Sequence, residues 1–354
     1  MDLKLKNFYK NKRVLITGVT GFKGAWLAYW LKLLGAKVTG IGYSPNNNKK
    51  LFNQLNLKKD IKLKNIDIRN YDQLKNFIKK IKPQLIFHLA AQPIISKSYV
   101  SPKYTYEVNS VGTLNLVDLI NKFRFVKSTI FVTSDKCYES NNSTKGFIET
   151  DKLGGVDPYS GSKACAEIIV RTYRKSFFKE TKQGIATARA GNVVGGGDWS
   201  KDRLIPDAVR NLKKNKKIII RNPNFNRPWQ HVLEPLNGYL ILAYKLYKNP
   251  KKFSGAWNFG TERNTITSVK EIIKFIIYYW GKGEIKIFKN KKFYEQTNLQ
   301  LNINKSKKLL NWKPKLKITD CIFLTTDWYK KVLFKKLNAK EITKKQILDF
   351  MRIK

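Results

Sequence analysis

RVLITGVTGFKG (13–24) begins as an apolar, β-branched run and closes on glycines at positions 18, 21 and 24. The order is strand, tight turn, helix. Glycine permits such a turn and lets backbone N–H groups approach a pyrophosphate, which the helix N-terminus then favours electrostatically. Three glycines alone carry little weight. Gly18, Gly21 and Gly24 at GxxGxxG spacing, directly after a strand and opening a helix, predict a dinucleotide-binding turn.

The pattern around this stretch repeats outward. Up to about residue 190, short β-rich runs alternate with segments of helical spacing: 13–18, 37–43, 61–67, 84–90, 128–134 and 184–190. GFKGAWLAYWLKLLGA ends at Gly35, a helix-stopping residue, and NYDQLKNFIKKIKP opens with Asn70 and Gln73 at capping spacing and halts before Pro83. Two longer helices are expected at about 103–124 and 159–180, each apolar on more than one face. Strands alternating with helices imply an α/β fold, a Rossmann-type doubly wound parallel sheet covered on both faces. After 190 the alternation breaks into a glycine-rich loop (GGGDW), a basic strand (KKIIIRNP) and mixed short elements. The expected division is a nucleotide-binding domain over 1–190, with a returning segment at about 225–260. A smaller mixed α/β substrate-binding domain takes 191–224 and 261–354.

Composition narrows the class. The 354 residues are 42% hydrophobic and 13% aromatic, which suits a globular chain with a large core. No apolar run reaches membrane-spanning length, and EIIKFIIYYW (271–280) is short and interrupted by a lysine. Three cysteines without a CxxC pair offer neither a disulfide framework nor a metal site, so a reducing cytoplasm and no metal are expected. The net charge of +45 invites a nucleic-acid reading, but the lysines are scattered among asparagines and apolar residues in every segment. Arginine, suited to bidentate phosphate reading, is the minority cation. A solvated basic surface, with no specific nucleic-acid partner, is the better account.

YSGSK places Tyr159 and Lys163 four residues apart at the start of a helix, hence on one face. A free phenol, with a pKa near 10, is a poor base at neutral pH. A neighbouring ammonium would stabilise the phenolate and make it one. The strand 128–134 ends in TSDKCY, with Ser134, Asp135 and Lys136 in succession. Beyond the second strand, GYSPNNNKK lacks the acidic residue that commonly binds the adenosine ribose. It offers Tyr43, Ser44, Lys49 and Lys50 instead, which leaves NAD and NADP both open. Asp67 and Ile68 follow the third strand, where adenine contacts are expected.

TGVTGFKG, a serine at the fifth strand end and YSGSK together resemble the extended short-chain dehydrogenase/reductase family. HLAAQP (88–93), TSDKCYE (133–139), GGVDPYSGSK (154–163), TARAGNVVGGGDW (187–199) and RPWQHVLEP (227–235) narrow it to the nucleotide-sugar 4,6-dehydratases, most closely those acting on CDP-glucose. The resemblance spans about 8–330. It implies NAD as cofactor, with Phe22 and Leu89, Ala90 and Ala91 beside the glycines, Tyr159 as base and Lys163 as its activator and ribose anchor. Ser134, a threonine in many relatives, would hold the reacting oxygen. In such enzymes C4 of the sugar is oxidised, the C5 proton is removed, water leaves from C6 and the hydride returns there. The last two proton transfers need an acid and a base beyond the tyrosine, and Asp135 and Lys136 stand where they are needed. Many relatives have glutamate at position 136, so a neutral lysine base or an enolate-stabilising ammonium remain alternatives for Lys136.

The resemblance also implies substrate contacts. Asn192 follows the sixth strand, Arg227 suits a diphosphate, and Arg203, Arg221 and His231 are further candidates. Trp229 stands for a base stack or for core, and His88 for a buried, hydrogen-bonded residue. A homodimer through the two long helices is implied as well. Competing readings are a 4-epimerase or another sugar-nucleotide dehydratase, and a redox-inert scaffold binding nucleic acid.

Overall fold

Strand β1, Arg13–Thr17, lies inside one seven-stranded sheet completed by β2 (Lys37–Ile41), β3 (Lys62–Lys64), β4 (Leu85–His88), β5 (Ser128–Val132), β6 (Gly184–Ala190) and β7 (Gly255–Phe259). Its order is β7-β6-β5-β4-β1-β2-β3, and every neighbouring pair is parallel. The computed structural model describes residues 3–43, 50–139, 146–262, 267–288 and 299–353. Strand order reverses between β1 and β4, the position where open α/β sheets leave a crevice for ligands.

Alternation along β1 explains why both faces fill. Val14 and Ile16 join one buried cluster, with Trp26, Trp30 and Trp257, while Leu15 joins the other, with Ile86, Phe131 and Leu116. Every residue of β4, β5 and β6 is buried, as strands covered on both sides require. The helix Phe22–Leu33 stops before Gly35, whose φ of 83° is the left-handed conformation read from the sequence. Asn70 caps the helix Tyr71–Ile81 by accepting a bond from Gln73 N–H at 3.0 Å. The first long helix runs from Pro102 to Lys122 with a π-turn at Glu107–Val111. Asn109 and Ser110 within that turn bond Ser162 on the helix Pro158–Phe177, which locks the two together.

The returning segment reaches the sheet. Helix Leu233–Lys248 packs along β5 and β6, and β7 extends the sheet beyond β6. The basic strand is confined to Ile218–Ile220, paired in parallel with Ile285–Ile287. The last helix, Ala339–Arg352, docks against the helix Phe22–Leu33: Phe350 meets Trp30 edge-on, and Lys340 pairs with Asp60 at 2.5 Å. The same helix also packs on the helix Ile318–Leu333, where Trp328 Nε1 donates to Thr343 Oγ1 at 2.9 Å.

GGGDW is not the flexible loop its composition suggests. Gly195, Gly196, Gly197 and Asp198 are all buried. A Cβ on Gly196 would lie 2.0 Å from the Trp328 ring, and Trp26 Nε1 donates to its carbonyl at 3.0 Å. Glycine serves here for close packing rather than motion.

Glu234 ties the C-terminal segment to the core. It is 1% exposed, and its Oε1 accepts from the N–H groups of Lys315 and Leu316 at 2.8 and 2.7 Å. Burial raises its carboxyl from 4.5 to about 7, against those bonds. Between these values the folded chain keeps a proton that the unfolded chain has released, so stability falls as pH rises through the window. Glu234→Gln is expected to remove roughly 3 kcal/mol of this pH dependence. Its melting temperature should decline less than the parent's between about pH 5 and 8; parallel melting curves would refute the assignment.

Candidate active site

The glycine turn is built for a close approach. Gly18 has φ of 71°, and a Cβ there would lie 2.6 Å from Ala90 N. On Gly24 a Cβ would meet Gly18 O at 2.2 Å. Gly21 caps the helix Phe22–Leu33 without any side-chain hydrogen bond, so its first N–H groups face outward for an anion. Leu89 N–H and Ala90 N–H bond Thr17, bringing the start of LAA against the turn. Phe22 sits on the other side, with its ring against Gly195. This cradle fits the diphosphate of a dinucleotide.

The adenosine end is less open than the sequence suggests. Asp67 is held by Arg69 at 2.7 Å, and Arg69 also pairs with Glu107 at 2.9 Å and lies over the Tyr104 ring. Ile68 is 4% exposed and packs where Gly112 leaves room. Both residues stabilise the loop, and neither side chain is left unengaged. Tyr43 is exposed, and Lys50 lies over the Trp199 ring. Ser44 and Lys49 fall outside the described residues.

Two residues past the end of β5, Ser134 accepts a bond from Lys136 N–H at 3.2 Å and caps the 3₁₀ turn Asp135–Cys137. Ser134 Oγ donates to Asp135 Oδ1 at 2.8 Å and also reaches the Tyr159 phenol. Asp135 is 3% exposed, and its Oδ2 has no protein partner among the described residues. Such an atom calls for a ligand or water. Lys136 is half-buried in the same turn. Opposite stands the helix Pro158–Phe177, started by a capping box in which Asp157 accepts from Tyr159 N–H and Ser160 N–H.

One expectation fails in detail. Lys163 does not lower Tyr159 in the protein alone. Burial pushes the phenol up to about 12, the Ser134 bond opposes this, and the carboxylates of Asp135 and Asp157 add to the rise. Lys163 Nζ is drawn instead toward Val132 O at 3.4 Å, and burial lowers its ammonium to about 8. The positive charge of Arg203 acts with the Ser134 bond against the rise.

Lys23 stands in the middle of the glycine motif, whose spacing marks only the glycines. Burial lowers it to about 8, and Arg203, Lys163, Asp135 and Asp198 act on it electrostatically, so it faces the same crevice. Arg203, a substrate-contact candidate from the sequence, pairs with Asp198 at 3.0 Å. Gly191 is another missed position: a Cβ there would lie 1.7 Å from Asp135 Oδ2. Asn192 has φ of 40° and its carbonyl accepts from Gln230 N–H. Arg227 is 7% exposed and lies over the Phe225 ring, and Arg221 is on the surface after Ile218–Ile220.

The histidines divide. His88 is buried between Thr17 and Thr113, as read from the sequence. His231 is 0% exposed and edge-on to Trp26, so it lies within the wall rather than among crevice-lining groups, a correction to its place among the substrate contacts. Burial in the pairing of Gln230–His231 with Val193–Val194 is the reason. Trp229 is 9% exposed and belongs to the core. Among the described residues there is no cluster that could hold a metal ion, and no helix is long and apolar enough to cross a membrane.

Comparison with known proteins adds three findings. The sequence profile of the GDP-mannose 4,6 dehydratase family matches residues 15–324. A CDP-glucose 4,6-dehydratase of Salmonella typhimurium is 40% identical over 331 residues, covering 92% of each chain. Among solved structures, dTDP-glucose 4,6-dehydratase from Bacillus anthracis in complex with NAD superposes with a TM-score of 0.77 at 24% identity, covering 92% of this chain and 99% of that one. An epimerase from Methanothermobacter thermautotrophicus gives 0.81 at 21% identity, covering 97% of each chain.

Proposed function

Because this chain belongs to the GDP-mannose 4,6 dehydratase family, we propose that it is a sugar-nucleotide 4,6-dehydratase that uses NAD, with CDP-glucose as substrate. The product is then CDP-4-keto-6-deoxyglucose and water, a precursor for deoxy sugars of surface polysaccharide. One observation carries the reading. Beside the Ser134–Tyr159 pair, Asp135 presents a buried carboxylate oxygen with no protein partner among the described residues. Simple oxidation of a hydroxyl needs no such group, whereas loss of water does.

Gly18, Gly21 and Gly24, with the backbone at Leu89, Ala90 and Ala91, would hold the cofactor, which would supply reversible hydride acceptance there. Tyr159 removes the proton of the C4 hydroxyl, and Ser134 orients that oxygen. Lys163, on the same helix face as Tyr159, would anchor the ribose. Asp135 gives a proton to the hydroxyl departing from C6, and Lys136, as a neutral amine, takes the proton that C5 loses. Lys23 and Arg203 bring positive charge to the crevice where a diphosphate would lie, with Arg227 beyond.

Exposed apolar side chains on the long helices, Val111, Leu114, Ile168 and Phe177 among them, support a homodimer. A monomeric mass in sedimentation would exclude it. Three free cysteines suit a reducing cytoplasm. The reading is tested by incubating the protein with NAD and CDP-, dTDP-, UDP- and GDP-hexoses and following each by mass spectrometry. Loss of one water from the cytidine nucleotide is expected. Conversion of another nucleotide alone would overturn the substrate, and conversion of none would overturn the reaction.

A further inference from the structure

Beneath the reaction site lies an ion pair that the chemistry above does not use. Glu167 and Arg189 are each 2% exposed, with Arg189 Nη2 2.7 Å from Glu167 Oε2. The carboxylate accepts two more bonds, from Thr133 Oγ1 at 2.5 Å and Thr187 Oγ1 at 2.8 Å. Arg189 Nη1 donates to Tyr138 OH at 2.7 Å, and Tyr138 donates in turn to Asn258 Oδ1 at 2.8 Å. Asn258 Nδ2 then bonds the Phe147 carbonyl at 2.8 Å. The network thus ties the exit of β5, with β6 and β7, to the helix Pro158–Phe177 and to Tyr138 and Phe147.

A buried ion pair is a weak source of stability, since apolar residues of the same volume pack as well or better. Its placement suggests another use. Thr133 is the residue before Ser134. Glu167 is one helical turn beyond Lys163 and two beyond Tyr159, on the same face. The two halves of the site, turn and helix, are therefore joined through a single carboxylate.

We propose that Glu167, held by Arg189, is a positioning residue that sets the Ser134–Asp135–Lys136 turn against Tyr159 and Lys163. The proposal rests on the dehydratase reading above. Glu167 touches neither substrate nor cofactor cradle, and acts through Thr133 and along its own helix. Its charge has a second effect. Lys163 is faced by Cys137 from the turn, His88 from β4, Lys23 from the glycine-turn helix and the Val132 carbonyl, and both Glu167 and Cys137 favour its ammonium against burial. Without the carboxylate, Lys163 loses its proton at lower pH.

The test compares Glu167→Gln with the double variant Glu167→Gln/Arg189→Gln, which leaves no unpaired buried charge. For the double variant, a cooperative melt is expected, with kcat about a hundredfold lower and KM little changed, since small misplacements act on orientation. The basic limb of its pH–rate profile should move down by about one unit. A folded double variant with the parent kcat and pH profile overturns the proposal. So does a double variant that cannot fold, because the pair then belongs to folding. If the parent dehydrates no sugar nucleotide, the functional reading fails separately. The crystal structure of the double variant then decides: Lys163 displaced from Val132 O upholds positioning, and unchanged geometry overturns it.

Discussion

Tyr159→Phe is expected to lower turnover of the sugar nucleotide by about a thousandfold or more, with no transient absorbance from reduced nicotinamide. The ring stays, so the packing of the helix Pro158–Phe177 is retained, and what is lost is one hydroxyl beside Ser134. On the proposed mechanism that oxygen, as phenolate, takes the first proton, so the block falls before any carbon is oxidised. Binding of NAD should change little, because the glycine cradle and Lys163 are untouched; cofactor fluorescence quenching would check this. The size of the effect also reflects how the residue is poised. In the protein alone the phenol stands near 12, raised by burial and by two carboxylates. A Phe variant retaining more than about a tenth of the parent rate would mean that another group is the base.

The parts of the fold legible in the sequence were those written in short-range periodicity. Each of the six strands predicted before residue 190 exists, within a few residues of its expected bounds, because apolar runs between glycines and caps have no competing fate. β7 was harder: GAWNF joins the sheet only after a crossing of more than sixty residues from β6, and nothing local marks such a pairing. The site divided along the same line. Gly18, Ser134, Tyr159 and Lys163 sit in compact motifs whose spacing reports their geometry. Glu167, Arg189 and Gly191 act through contacts made across elements, so their signal lies in the fold. Gly191 shows the physical reason most plainly: it is required by the position of Asp135, 56 residues earlier, which spacing does not reveal. GGGDW misled for a related cause, since glycine marks both mobility and close packing, and only its neighbours distinguish them.

Asp135→Asn and Lys136→Ala are expected to stop the reaction one stage later than Tyr159→Phe. On the proposed roles, oxidation at C4 needs Ser134, Tyr159, Lys163 and the cofactor, all of which remain. Reduced nicotinamide should therefore accumulate on mixing with substrate, while water loss falls by about a hundredfold to ten-thousandfold. For Asp135→Asn the reasoning is specific. The amide keeps the size of the carboxyl and can still accept from Ser134 through its oxygen, as Oδ1 does at 2.8 Å. It carries no transferable proton, so the hydroxyl leaving C6 departs unassisted. Gly191→Ala approaches the same carboxyl from the other side. Its methyl group would stand 1.7 Å from the present position of Oδ2, so Asp135 must swing away with its chemistry intact but misplaced. The same accumulation of reduced nicotinamide is expected, without any change in the titrating groups. Isotope exchange at C5 then separates the two charged residues. If Asp135→Asn still exchanges the C5 proton with solvent and Lys136→Ala does not, the lysine is the base and the aspartate the acid. The reverse pattern exchanges their roles. If none of the three variants shows reduced nicotinamide, Asp135 and Lys136 belong to the oxidation step, and elimination must draw its acid and base from elsewhere in the crevice.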